Sequence, residues 1–212
     1  LPGLKQQWPE GKFYNYERIW DAQSLSYPGP PFGWWEIPDQ YSLAYFHTRE
    51  DQFDGPAPLF TFFATISSHM PFHPVPPIEA NWANLLSVQP YATHQAINTS
   101  NGVYGDDLQF SYTDAIVYNF YLVADLLRLT SDQHPLIIVL GDHQPPAVIS
   151  GADAPWTIPV HVFSQDPQIL ERFKSVGFVD GLIPKNNLGR LASLHNLLLI
   201  QCTTEQQPDC DG

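Results

Sequence analysis

The chain has 212 residues, enough for one substantial folded domain, and 43% of them are hydrophobic and 14% aromatic, a composition that argues against a disordered chain. Nine Lys and Arg against 22 Asp and Glu give a formal net charge of −13. That balance argues against a general nucleic-acid or anionic-membrane surface, but not against a phosphate or sulfate ligand beside a bound cation.

The 21 prolines and 13 glycines concentrate in the first half, and residues 1–58 read as a Pro- and aromatic-rich loop region. Its sequence runs WPEGKFYNYERIWD and then YPGPPFGWWEIPDQYSLAYF. One helix is predicted there, from about Asp39 to Arg49, behind Pro38. Leu59 to Ile66 is a nearly continuous apolar and β-branched run, the pattern of a strand covered on both faces. It stops at Ser67-Ser68-His69, and Pro71 and Pro74 prevent its continuation. Residues 76–105 read as loop, with a helical turn near Trp82–Leu86.

From Asp106 to about Leu129 the pattern becomes helical. Tyr112, Ile116, Phe120, Val123 and Leu127 recur at three- and four-residue spacing and predict an apolar stripe that covers a sheet. Pro135–Leu140 and Ile158–Phe163 are predicted strands, Asp166–Val176 a short helix, and Asn187 to about Gln201 a last helix. Strands alternating with helices predict an α/β fold with a mostly parallel sheet flanked by helices, residues 59–212 forming its core. No run reaches the roughly 18 apolar residues that span a bilayer. Cys202 and Cys210 either close a small loop in an oxidising compartment or stay free thiols. With no signal peptide and no initiator Met, the chain reads as a processed product or part of a longer one.

Ligands of open α/β sheets bind outside the carboxyl ends of the strands. Two strand ends here carry polar residues of catalytic type, Ser67-Ser68-His69 and Asp142-His143. Neighbours on a regular strand point to opposite faces, so Asp142 and His143 serve one ion only if the chain turns after Gly141. A carboxylate and a neutral imidazole suit Zn²⁺ or Mn²⁺. The plain alternative is a turn acid beside a surface histidine. His69 either contacts a substrate oxygen or caps the strand end. His161 reads as a covered strand residue, His195 as polar-side, and His73 as a more distant neighbour of the His69 site. Trp8, Trp34, Trp35 and Tyr27 either stack on sugars or pin the loop region, and Asn98-Thr99-Ser100 is a formal glycosylation acceptor.

The segments TFFATISSHMPFHP, SYTDAIVYNFYLVADLL, LIIVLGDHQPP and IPVHVFS, in that order, resemble the C-terminal half of the sulfatase-like domain of the alkaline phosphatase superfamily. The nearest branch in pattern is the membrane-anchored bacterial sulfatase-like group, which includes lipoteichoic acid synthases and phosphoethanolamine transferases. The upstream aromatic region is similar to the middle of that domain, so the resemblance spans nearly the whole chain. It implies a hydrolase or transferase acting on phosphate or sulfate esters, lipid- or glycan-linked among them. Asp142 and His143 would be ligands of a divalent metal (Mn, Zn, Ca or Mg). His69 would line the site, contact the transferring group and act in catalysis, and Trp8 would line the head-group pocket, although Pro9 stands where a basic residue is expected.

The family's nucleophile and first acidic ligand lie upstream of everything in this sequence. Ser67 and Ser68 do not occupy that position. The resemblance therefore implies an incomplete part of the full domain. Its partner would be the N-terminal remainder of the same protein, membrane-anchored with this domain outside the cytoplasm. The rival expectation is a non-catalytic sulfatase-like scaffold or binding module that lacks the nucleophile half.

Overall fold

The computed structural model describes residues 15–32, 36–49, 58–94 and 108–202. The chain divides into two compact units, Leu1–Val123 and Ala124–Gly212. Helices and strands are both present, in agreement with an α/β class.

In the first unit, α1 spans Ala22–Leu25, α2 Asp39–His47 and α3 Trp82–Leu85, and α4 begins at Leu108 and runs to Leu129. Asp21 caps α1 by accepting from Ser24 N–H, while the Ser24 hydroxyl returns to Asp21 N–H, a reciprocal cap that satisfies two donors left bare at a helix start. Pro38 sets the entry to α2, and Asn81 caps α3 through Ala83 N–H. The core gathers Phe32, Tyr41, Leu43, Ala44, Phe72, Trp82, Leu85, Tyr91, Ala115, Tyr118 and Leu122.

The buried seam of α4 is Ser111, Ala115, Tyr118 and Leu122, whereas the predicted stripe, Tyr112 through Leu127, is only half-buried. Small residues at 111 and 115 let the helix approach closely. Tyr118 enters because its hydroxyl has a partner inside, accepting from Gln40 N–H at 3.3 Å, the usual condition for burying a tyrosine.

Gln40 is the polar centre of this unit. Its side-chain amide donates to Glu79 C=O and accepts from Glu79 N–H, both at 2.9 Å, and also accepts from the Tyr91 hydroxyl at 3.3 Å. A fully buried amide that makes three hydrogen bonds, one donated and two accepted, ties Glu79 and Tyr91 to α2.

Residues 58–66 differ from expectation. They form no regular secondary structure and pair with no strand among the described residues, and Phe60 and Phe62 stand 75% and 70% exposed. The composition of a covered strand is present without its neighbours.

In the second unit, β1 (Ile137–Leu140) and β2 (Val160–Phe163) form a two-stranded antiparallel sheet, with Ile137 opposite Phe163 and Leu140 opposite Val160. Strand–helix alternation predicted parallel pairing. The connection 141–159 carries only α5, Ala147–Ser150, not the long crossover helix that returns a parallel strand. Helix α6 (Pro167–Ser175) has Asp166 as its cap and Pro167 at its first position, both favoured there. Helix α7 spans Leu194–Cys202 after a 3₁₀ turn, Leu191–Ser193. Phe173 is buried edge-on to Phe178, with ring centres 5.3 Å apart, and Arg172 donates to Gln201 C=O at 3.1 Å, which ties α6 to α7. Among the described residues no helix is long and apolar enough to cross a membrane. Cys210 lies outside the described residues, so the choice between a Cys202–Cys210 bridge and two free thiols does too.

Candidate functional site

The chain leaves β1 with one more sheet-like bond, Gly141 N–H to Pro159 C=O at 3.3 Å. It then turns. Asp142 Oδ1 accepts from His143 N–H at 2.9 Å, an acid closing a turn on its neighbour's backbone. His143 Nδ1 lies 2.7 Å from Gln144 C=O. A carbonyl only accepts, so Nδ1 carries the proton and Nε2 holds the lone pair of the neutral ring. That Nε2 stands 3.7 Å from Asp142 Oδ2, with the two side chains 71% and 90% exposed. The turn thus aims a carboxylate oxygen and an imidazole lone pair at one neighbourhood. A backbone carbonyl on the far ring nitrogen is the support that metal-bound histidines commonly have.

Gln144 has a part that the sequence did not announce. Its amide donates to Pro155 C=O and to Thr157 C=O, the latter at 3.1 Å, and so closes the loop that presents Asp142 and His143. Its place between the histidine and two prolines was the available signal. Gly141 is less special than the sequence suggested. A Cβ there would meet only ordinary contacts, His143 O at 3.7 Å and Ile158 at 3.8 Å, so the turn does not depend on a glycine conformation.

His69, in the first unit, sits at the end of a turn closed by His69 N–H to Ile66 C=O at 3.0 Å. This turn is held from inside. The Asp39 carboxylate, in the first turn of α2 and 3% exposed, accepts from Ile66 N–H at 3.0 Å, from Ser67 N–H at 2.9 Å and from the Ser67 hydroxyl at 2.5 Å. Burial pushes the Asp39 carboxyl above its ordinary value, against the opposing pull of these donors. Ser67 is buried with its hydroxyl committed to Asp39. Past the turn, Phe72 is buried edge-on to Tyr112, with ring centres 5.1 Å apart. Between these anchors His69 is exposed, its Nδ1 2.6 Å from Met70 C=O. Both candidate histidines thus place Nδ1–H on the next residue's carbonyl.

The two site segments fall in different units, His69 in the first and Asp142–His143 in the second. Among the described residues, no group of three or more His, Cys, Asp or Glu side chains is arranged to hold a metal ion. Trp8, Trp34, Trp35 and Asn98-Thr99-Ser100 lie outside the described residues. His161 is half-buried on β2, and burial lowers its pKa. His195 is exposed on α7, as expected.

No family model, no curated protein and no solved structure matches this chain.

Proposed function

We propose that Asp142 and His143 are two ligands of a divalent metal (Mn, Zn, Ca or Mg) in a hydrolase or transferase of phosphate or sulfate esters, of the sulfatase-like kind. The observation that carries this reading is the turn after β1, where Asp142 Oδ2 and His143 Nε2 lie 3.7 Å apart and the ring's other nitrogen rests on Gln144 C=O. Within that set of ions an oxygen and a nitrogen donor suit Zn²⁺ or Mn²⁺ better than Ca²⁺ or Mg²⁺, which prefer oxygen alone, and such a metal supplies positive charge where the transferring group is bound. His69 is the group that contacts the transferring phosphate or sulfate. Two protein donors fall short of the three or four usual around Zn²⁺, so the reading calls for further donors and a nucleophile from the same protein. It also calls for further strands to complete a mostly parallel sheet. The membrane-anchored placement outside the cytoplasm belongs to the same proposal.

A second reading, a non-catalytic sulfatase-like scaffold, is favoured by the bare segment 58–66. A run with no regular structure and with Phe60 and Phe62 exposed offers apolar side chains to another polypeptide.

The test is metal content. The 212-residue chain, dialysed against Mn²⁺ and then Zn²⁺, is weighed by native mass spectrometry beside Asp142→Ala and His143→Ala. About one ion per chain, lost in both variants, supports the first reading and warrants assay on phosphodiesters and sulfate esters. Equal metal in all three chains removes it.

A further inference from the structure

We infer that Asp39 is a positioning residue for His69, acting through the Ile66–His69 turn. The inference rests on the role proposed for His69 and adds the group that aims it.

A helix of nine residues, Asp39–His47, begins with an acid. Such an acid commonly faces solvent and complements the helix dipole. Asp39 instead turns inward, and its carboxylate gathers Ile66 N–H, Ser67 N–H and the Ser67 hydroxyl. Burying a carboxylate is costly unless donors surround it, and these donors come from one turn. The same turn is closed by His69 N–H on Ile66 C=O. The chain then fixes the ring, Nδ1–H on Met70 C=O at 2.6 Å, and sinks Phe72 into the core. The turn that carries His69 is therefore held on one side by the Asp39 carboxylate, through Ile66 and Ser67, and followed on the other by buried Phe72. A surface histidine needs neither. Asp39 touches no reacting group in this arrangement. What it fixes is the direction in which the imidazole leaves the turn, and with it the nitrogen that keeps the proton.

The experiment reads the His69 ring directly, by ¹⁵N NMR of the histidine-labelled 212-residue chain, with inorganic phosphate as the probe ligand. The native chain is expected to hold His69 mainly as the Nδ1–H tautomer. In Asp39→Asn the ratio of tautomers falls about five- to tenfold, as for the loss of one hydrogen bond. Ser67→Ala keeps both backbone N–H donors to Asp39 and moves the ratio less, in the same direction. Leu85→Ala, a fully buried core residue on α3, lowers stability without moving it. An unchanged ratio in both Asp39→Asn and Ser67→Ala overturns the inference, as does an equal change in Leu85→Ala. Should Asp39→Asn fail to fold, Ser67→Ala decides alone. Phosphate is read separately. If it leaves the native His69 signals unmoved, the role proposed for His69 falls, while the tautomer ratio still decides whether Asp39 sets the ring.

Discussion

Two histidines of this chain are locked in the same way on opposite foundations. His69 and His143 each place Nδ1 against the next residue's carbonyl, at 2.6 and 2.7 Å. Beneath His69 lie a buried carboxylate, a buried serine and a buried phenylalanine. Beneath His143 lie the carboxylate of its own neighbour, 90% exposed, and the half-buried Gln144. One turn is fixed by the folding of a core. The other is assembled from local bonds on the surface. The difference suits the roles proposed for them, because a group that meets a substrate benefits from being preset, whereas ligands that await further donors must still adjust to them.

Mutations in the core beneath His69 are the strongest way to sharpen this contrast. Gln40→Leu would take the partner from both polar groups of the half-buried Glu79 backbone and from the buried Tyr91 hydroxyl, and a loss of about 4 kcal/mol is expected in urea unfolding. Asp39→Ala strips three donors of their acceptor, the two on Ser67 buried and the one on Ile66 half-buried, with an expected loss of about 3 kcal/mol. A cost below about 1 kcal/mol for either would show that the polar centre is not what holds the unit, and the comparison would break.

The pH dependence of Asp39 has a definite sign. Its folded-state value is raised, by burial first, from the ordinary 3.8. The folded chain therefore favours the protonated acid. The stability this contributes is full below 3.8 and is lost as pH rises through the elevated folded-state value. Asp39→Asn has no proton to lose. The stability of the native chain relative to Asp39→Asn should then fall as pH rises across that window, read by urea unfolding of both proteins at each pH. A relative stability that rises instead would mean that the three donors outweigh burial.

The elements were legible in the sequence where their signal is local. Asp39–His47 follows a proline, Pro167–Ser175 follows an aspartate cap, and β1 and β2 fall within the two β-branched runs assigned to them. Seams and partners were not legible, because they depend on what lies opposite. The α4 seam passes through Ser111 and Ala115, which carry far less apolar side chain than Tyr112 and Ile116, and closeness of approach overrode the apolar count. The segment 58–66 has the composition of an inner strand, but composition records what a strand is made for and not which neighbours it has. At the candidate site, Asp142 and His143 stood out because an acid and an imidazole adjoin at a strand end. Asp39 did not. It is 28 residues from Ser67 in sequence, and an acid in the first turn of a helix reads as an ordinary dipole partner.

The surface turn provides the smallest expected effect and the most discriminating one. Asp142→Ala removes a side chain that is 90% exposed, bonded to His143 N–H and 3.7 Å from the His143 ring. An exposed pair of this kind stabilises little, since water screens it and competes for each bond. Unfolding should shift by no more than about 0.5 kcal/mol. Gly141→Ala should be equally mild, because the added methyl meets nothing nearer than 3.7 Å. The two substitutions part company over metal. Gly141→Ala leaves the donor pair in place and should retain the ion, whereas Asp142→Ala should lose it. A turn whose residues matter little to folding and differ sharply in metal retention is one shaped for its ligand. If both variants keep the ion, or both lose it, the pairing of Asp142 with His143 reflects only the way this turn closes.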